Sequence, residues 1–381
     1  MTDMTLRLGR TLTPEGVLPG ATIVVQDGRI ARITPSDDAD PRIAGLWAVP
    51  GFVDTHCHGA AGADFASPDA AAVDAAIHHH RQHGTTTLYA STVTEDLDVL
   101  ADQVRRLRPR VESGDLAGIH LEGPFLAEAK KGAHNPELLR PPLPEYVAPL
   151  IEAGAGTVRM VTLAPELENG IGSIPQFIDG GVRVAFGHSD ADVDETRAAV
   201  DAGATVVTHL FNAMRPIHHR EPGPVPELLH DDRVLVELIC DGVHLHSDIV
   251  AMSIAAAGAD RVALVTDAMS ATGMPDADCR LGTLDVQVRS GVARLVNADG
   301  TPGAIAGSTL TMDKAVEFVV DKAGCSVPDA AVMAASSPAR WHGLDEVGTL
   351  EVGKWADICF LDDSGRLHGV LRRGEWVKEV G

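Results

Sequence analysis

Eight short apolar runs, most of them separated by helix-like segments, recur along this chain and constrain its fold more than any other feature. They are Gly51 to His56, Thr86 to Ala90, Ala117 to Leu121, Val158 to Leu163, Val182 to Phe186, Thr205 to Thr208, Val234 to Ile239 and Val262 to Thr266. Alternation of this kind implies parallel strands joined by crossover helices. Eight such units are what a (β/α)8 barrel requires, so the predicted class is α/β. Helices are predicted over Ala70 to Gln82, Leu97 to Arg108, Asp192 to Asp201 and Leu310 to Lys322, with Gly84, Pro109, Gly203 and Gly324 placed to stop them. At 381 residues the chain has room for one barrel and a small second domain.

The two chain ends read differently. Ala21 to Gln26 and Arg29 to Ile33 flank Asp27-Gly28, a dipeptide suited to a tight hairpin turn. Near the other end, Asp357 to Leu361 and Leu367 to Leu371 surround the turn Asp362-Asp363-Ser364-Gly365. These segments predict one small β domain built from both ends, residues 1–48 and 347–381, beside a barrel over residues 49–346. Arg280 to Asn297 alternates like a further hairpin and reads as an insertion after the eighth strand.

Composition narrows the partners. A formal charge of −23 opposes the approach of nucleic acid or an anionic membrane surface, though a local donor cluster can still hold a small anion. No signal-peptide core is present in MTDMTLRLGR and no apolar run reaches about 18 residues, which predicts a cytoplasmic protein without a membrane span. Five scattered cysteines without a CxxC pair suggest neither disulfides nor a thiolate metal site.

The polar residues at the strand ends carry the chemistry. His56, His58, Glu122, His188, His209, His244 and Asp267 all fall at or just beyond the ends of the predicted strands. In a barrel those ends converge on one mouth, so residues distant in sequence share a site. His56-Cys57-His58 puts two imidazoles on one side of an extended chain, with Cys57 turned away. Imidazole nitrogen and carboxylate oxygen are donors that a catalytic divalent metal accepts.

Several motifs together resemble the amidohydrolase superfamily, and within it the N-acetylglucosamine-6-phosphate deacetylase family, along nearly the whole chain. They are PGFVDTHCHG (Pro50 to Gly59), GIHLEGPF (Gly118 to Phe125), KKGAHNP (Lys130 to Pro136), FGHSDA (Phe186 to Ala191), THLFNAM (Thr208 to Met214), HREPG (His219 to Gly223), DGVH (Asp241 to His244), LVTDAM (Leu264 to Met269) and GAIAGS (Gly303 to Ser308). The resemblance implies a (β/α)8 barrel with a small β-sandwich formed by both chain ends, and a homodimer. It also implies two divalent metals per subunit, drawn from zinc, iron, manganese or cobalt. His56, His58 and Asp267 would ligate one, His188 and His209 the other, with Glu122 between them. A related barrel group bridges its metals with a carboxylated lysine on the fourth strand, but Val158 to Leu163 contains no lysine, which favours the glutamate arrangement.

By the same resemblance, Asp267 is the general base and acid of amide hydrolysis, and His134 is a donor to the developing oxyanion. Asn212, Ala213, Arg220 and His244 would surround the substrate phosphate, and Ala306, Gly307 and Ser308 would lie in a loop that approaches the sugar. The implied reaction is deacetylation of N-acetylglucosamine 6-phosphate. The alternatives are the galactosamine epimer or another N-acyl amino-sugar phosphate, and a sugar-phosphate-binding scaffold without catalysis. Other histidines read as bland: His78, His79, His80 and His83 as a solvated helix face, His218 and His219 as loop residues.

Overall fold

The computed structural model describes residues 3–380. Its centre is an eight-stranded parallel sheet whose strands are neighbours in chain order. They are β1 (Phe52–Asp54), β2 (Thr85–Thr92), β3 (Gly118–Glu122), β4 (Val158–Leu163), β5 (Arg183–Phe186), β6 (Val206–Val207), β7 (Leu235–Ile239) and β8 (Val262–Val265). Just beyond β1 and β8 the first and last strands meet, through the bridge Cys57↔Ala268 and through His58 N donating to Ala268 O at 2.8 Å. The sheet is thus rolled into the barrel that the eight apolar runs predict.

Crossover helices pack outside. Ala70–Gln82 starts where the Asp69 carboxylate accepts from Ala71 N and Ala72 N. Val193–Ala202 starts at a reciprocal capping box between Asp192 and Glu195, and stops at Gly203 in the left-handed region. Pro109 does not stop its helix, which runs from Leu97 to Glu112. A proline costs a helix one donor and a local clash, and here the last turn is retained by Ser113 N on Pro109 O and by an Arg108–Glu112 ion pair.

Both chain ends build a separate pair of sheets. One has three strands, Met4–Leu8, Ala21–Gln26 and Arg29–Pro35. The other has six and joins Arg10–Thr13 and Trp47–Pro50 from one end to Ile358–Leu361, Leu367–Arg372 and Glu375–Lys378 from the other. Leu8, Ile23, Val25 and Ile30 pack with Ala48, Ile358, Phe360 and Leu371 between the two sheets. Trp47–Pro50 leads directly into β1, which anchors the start of the barrel to this domain.

The insertion after β8 is a four-stranded antiparallel sheet, Asp278–Leu281, Leu284–Arg289, Val292–Val296 and Pro302–Ile305. The first half of GAIAGS is therefore strand rather than loop, because Ile305 pairs with Arg294. The apolar side of this sheet, with Leu281, Val286, Val288 and Ala293, packs on Met269 and Ala306 beside the barrel mouth.

Candidate metal centre

The barrel delivers the strand-end residues to one place. His56 and His58 follow β1, Glu122 ends β3, and His188, His209 and Asp267 follow β5, β6 and β8. All six are buried. His188, His209 and Asp267 have φ of 49°, 30° and 48°, the left-handed region that side chains seldom occupy. Such strain persists only where the surroundings over-determine it, and it concentrates at functional sites.

Glu122 is the hub. Its Oε2 lies 3.1 Å from His58 Nε2, and its Oε1 lies 3.2 Å from His188 Nε2 and 3.1 Å from His209 Nε2. Asp267 Oδ1 is 3.1 Å from His58 Nε2 and 3.5 Å from His56 Nε2. The histidines also face one another, His56 Nε2 to His58 Nε2 at 3.2 Å and His188 Nε2 to His209 Nε2 at 3.1 Å. His56, His58, Glu122 and Asp267 offer one compact donor set, and Glu122, His134 and His188 a second that shares the glutamate.

The protons of this cluster argue for a cation. His188 Nδ1 lies 2.9 Å from the Lys130 carbonyl, which can only accept, so Nδ1 carries a proton and Nε2 is the nitrogen turned to the cluster. His56 Nδ1 likewise faces a carboxylate oxygen of Glu237 at 3.3 Å. With Nδ1 protonated, Nε2 can face carboxylate oxygens only where positive charge lies between them, carried either by a second ring proton or by a metal ion. Burial disfavours charged His58, but hydrogen bonds to Asp267 and Glu122 outweigh it and push its pKa up to about 9. Burial would raise Asp267, but the charge of His56 and the hydrogen bond from His58 hold it down at about 2. The same negative field suits a divalent ion, and these residues fit one.

His134 differs from its neighbours. The Thr94 backbone N–H donates to His134 Nδ1 at 3.3 Å, which leaves the proton on Nε2, the nitrogen facing Glu122 at 3.6 Å. Burial lowers its pKa to about 4 against the pull of Glu122, so the ring is a neutral donor at neutral pH. The cluster opens into a cavity of about 400 Å³, lined also by Lys130, Asn212, Ala213, His244, Leu281 and Gly307. A larger hollow of about 710 Å³ lies on the terminal domain, where Arg7 pairs with Asp38 and Arg42 with Asp40, and it contains no comparable donor set.

Comparison with known proteins agrees with this geometry. The Amidohydrolase family matches residues 47–377. The chain belongs to that family. Among its relatives, this amidohydrolase is 38% identical over 97% of its length to N-acetylgalactosamine-6-phosphate deacetylase of Escherichia coli O157:H7, covering 98% of that protein. It is 34% identical over 92% of its length to N-acetylglucosamine-6-phosphate deacetylase of Lysinibacillus sphaericus, covering 91% of it. Among solved structures it resembles an aspartate-to-alanine variant of N-acetylglucosamine-6-phosphate deacetylase from Mycobacterium smegmatis, in complex with N-acetylglucosamine 6-phosphate. There the TM-score is 0.93 and the identity 42%, with 100% of both chains covered.

The remaining predicted residues of this amidohydrolase fall into two groups. Asn212, Ala213, His244 and Gly307 line the cavity with His134. Gly307 has φ +62°, and a Cβ there would stand 3.0 Å from the Asp267 carbonyl. Ala306 is packed in the insertion's apolar cluster, and Ser308 is turned inward, its hydroxyl donating to Thr266 O at 2.6 Å. Arg220 is exposed, with Nη1 2.6 Å from the His219 ring, and is not among the lining residues.

The helix histidines correct the solvated-face expectation: only His78 is exposed, and His79 and His83 are half-buried. His80 is fully buried, with Nε2 3.0 Å from Gly59 O and 3.1 Å from Cys57 Sγ, because its helix packs that face on the His56-Cys57-His58 strand. Sequence reading also passed over Lys130 and Glu237. The signal for Glu237 was there: one carboxylate inside the apolar run Val234 to Ile239.

Proposed function

We propose that this amidohydrolase removes the acetyl group from N-acetylglucosamine 6-phosphate, giving glucosamine 6-phosphate and acetate. The observation that carries the reading is the buried cluster of four histidines and two carboxylates at the barrel mouth, opening into a sugar-sized cavity. Its weight comes from the likeness to the Mycobacterium smegmatis deacetylase bound to that sugar phosphate.

In this reading His56, His58 and Asp267 hold one divalent ion, His188 and His209 a second, and Glu122 lies between. Such ions lower the pKa of water from about 15.7 to about 7 and polarise a carbonyl. Asp267, ionised at neutral pH, accepts a proton from the attacking water and returns it to the amide nitrogen as the C–N bond breaks. His134 donates from Nε2 to the acyl oxygen as negative charge builds there. His244 receives 2.7 Å support at Nδ1 from Asp241, which outweighs burial and raises its pKa, so the ring suits a phosphate. Asn212 and the Ala213 backbone serve the same group, Gly307 and its neighbours Ala306 and Ser308 shape the sugar wall, and Arg220 supplies a planar fork of donors. The catalytic barrel is assigned to residues 49–346 and the terminal domain to 1–48 with 347–381, in a cytoplasmic homodimer.

The test is acetate release from N-acetylglucosamine 6-phosphate beside unphosphorylated N-acetylglucosamine, with chelator and metal add-back. Metal-dependent release confined to the phosphorylated sugar supports the reading, and no release from fully metallated protein overturns it. Arg220→Ala is expected to weaken use of the phosphorylated sugar far more than of the free one, and equal losses remove Arg220 from phosphate binding. A second reading, deacetylation of the galactosamine epimer, is favoured by the 38% identity to the Escherichia coli enzyme of that name. Side-by-side kcat/KM on the two epimers decides between them.

A further inference from the structure

Glu237 is a carboxylate on β7, fully buried inside the barrel. Its Oε1 accepts from the Thr55 hydroxyl at 3.1 Å and its Oε2 faces His56 Nδ1 at 3.3 Å. No lysine or arginine pairs with it among the described residues. An ionised carboxylate in such a place costs several kcal/mol unless positive charge offsets it. His56 is the one side chain between Glu237 and the donor cluster: its Nδ1 faces Glu237 and its Nε2 faces Glu122 and Asp267.

The other imidazoles have no such backing. His188 Nδ1 meets a neutral carbonyl, and His58 Nδ1 and His209 Nδ1 are buried without a partner. Glu237 also reaches the other half of the cluster through its backbone, since its carbonyl accepts from Leu210 N at 2.9 Å, next to His209. Around it the barrel interior is an unusual polar layer. Ser91, His120, Thr162 and Thr208 form a buried chain of hydrogen bonds of 2.9, 2.8 and 2.8 Å, and the His120 ring stands edge-on to His56 at 4.6 Å.

We infer that Glu237 is a positioning residue that fixes His56 with its proton on Nδ1 and its lone pair on Nε2, and so retains the ion held by His56, His58 and Asp267. The inference rests on the two-ion reading above. A carboxylate behind a ligand imidazole orients the ring and raises its basicity, and losing one typically weakens metal affinity about 10- to 100-fold. Because Glu237 backs His56 alone, its loss acts on one ion and leaves the ion at His188 and His209 in place. The negative charge is the active feature, since an amide of the same shape can still accept from Nδ1.

The experiment is a chelator titration of the holoenzyme, with bound metal counted by elemental analysis and thermal unfolding followed in parallel. Wild-type protein is expected to lose its two ions in separate steps. In Glu237→Gln one of the two steps moves to about 10- to 100-fold lower chelator activity, while the other stays where it was. A cobalt-loaded sample gives a second readout, with the visible spectrum of one site altered and the other unchanged. Two ions released by Glu237→Gln as by wild type overturn the inference and leave the two-ion reading standing. Wild-type protein that never takes a second ion overturns both. Should Glu237→Gln fail to fold, Thr55→Val removes one of the two hydrogen bonds that hold the carboxylate. A smaller shift of the same step is then expected, and none overturns the inference.

Discussion

The floor and the mouth of this barrel lie a few residues apart on the same strands, yet they are built from opposite chemistry. At the floor Tyr89, Met160, Ala185, Val206, Leu235 and Ala263 form an apolar plug covered by Trp341 and Leu344. Two residues further along, the side chains facing the same interior become Ser91 on β2, Thr162 on β4, Thr208 beyond β6 and Glu237 on β7. Then come the histidines and carboxylates of the cluster. Period-two alternation keeps each set on the inner face, so a single strand carries stability at one end and donor atoms at the other. Damage at the two ends should therefore differ in kind.

Asp267→Asn should separate function from folding most widely. Turnover is expected to fall by about 10²- to 10⁴-fold, the range for loss of a general acid–base group, while the urea midpoint of the metal-depleted protein stays near that of wild type. Unimpaired turnover removes Asp267 from the mechanism. Met160→Ala should do the reverse at the floor. Met160 is wholly buried, and truncation is expected to cost about 2–5 kcal/mol of stability with metal content and KM unchanged. A shift in KM or metal content would mean that the two ends are not independent.

The smallest effect concerns pH. His342 stands edge-on to Tyr89 at the floor, with both ring nitrogens buried and unpartnered. Burial, aided by the charge of Arg183, lowers its pKa to about 3 from an ordinary 6.5. The folded state keeps the ring neutral while the unfolded chain takes up a proton, so stability is full above pH 6.5 and declines as pH falls towards 3. His342→Gln should remove up to about 1.4 kcal/mol per pH unit of that slope. Denaturant titrations at pH 7 and pH 5 measure it, and an unchanged slope would place the acid sensitivity elsewhere.

Strong local patterns made most of the fold legible. Val158–Leu163 and Ala70–Gln82 have the predicted bounds, since one is a mainly apolar strand whose single charge, Arg159, is exposed, and the other a periodic segment with an aspartate before it. β6 shrinks to Val206–Val207 although the predicted run is longer, because Thr208 already begins the turn that carries His209 at positive φ. The cluster was readable because strand ends in a barrel converge whatever lies between them. His80 was not readable in the same way, because whether a histidine on a helix is buried depends on what packs against it.

The pairing of the two chain ends has a consequence for how the protein is made. Trp47–Pro50 runs beside Ile358–Leu361, and the Trp47 indole donates to Asp363 across 316 positions of sequence. The strand that feeds His56 and His58 therefore leaves the ribosome long before its Ile358–Leu361 neighbour exists. At about 5–20 residues per second the wait is on the order of tens of seconds. During that time Glu122, His188 and His209 can assemble from nearby βα units while the strand that leads to His56 has only its Arg10–Thr13 and Thr85–Thr92 neighbours. The half of the centre that Glu237 guards is then the last to form, and nascent chains halted before Ile358 should take up fewer metal ions than the finished protein.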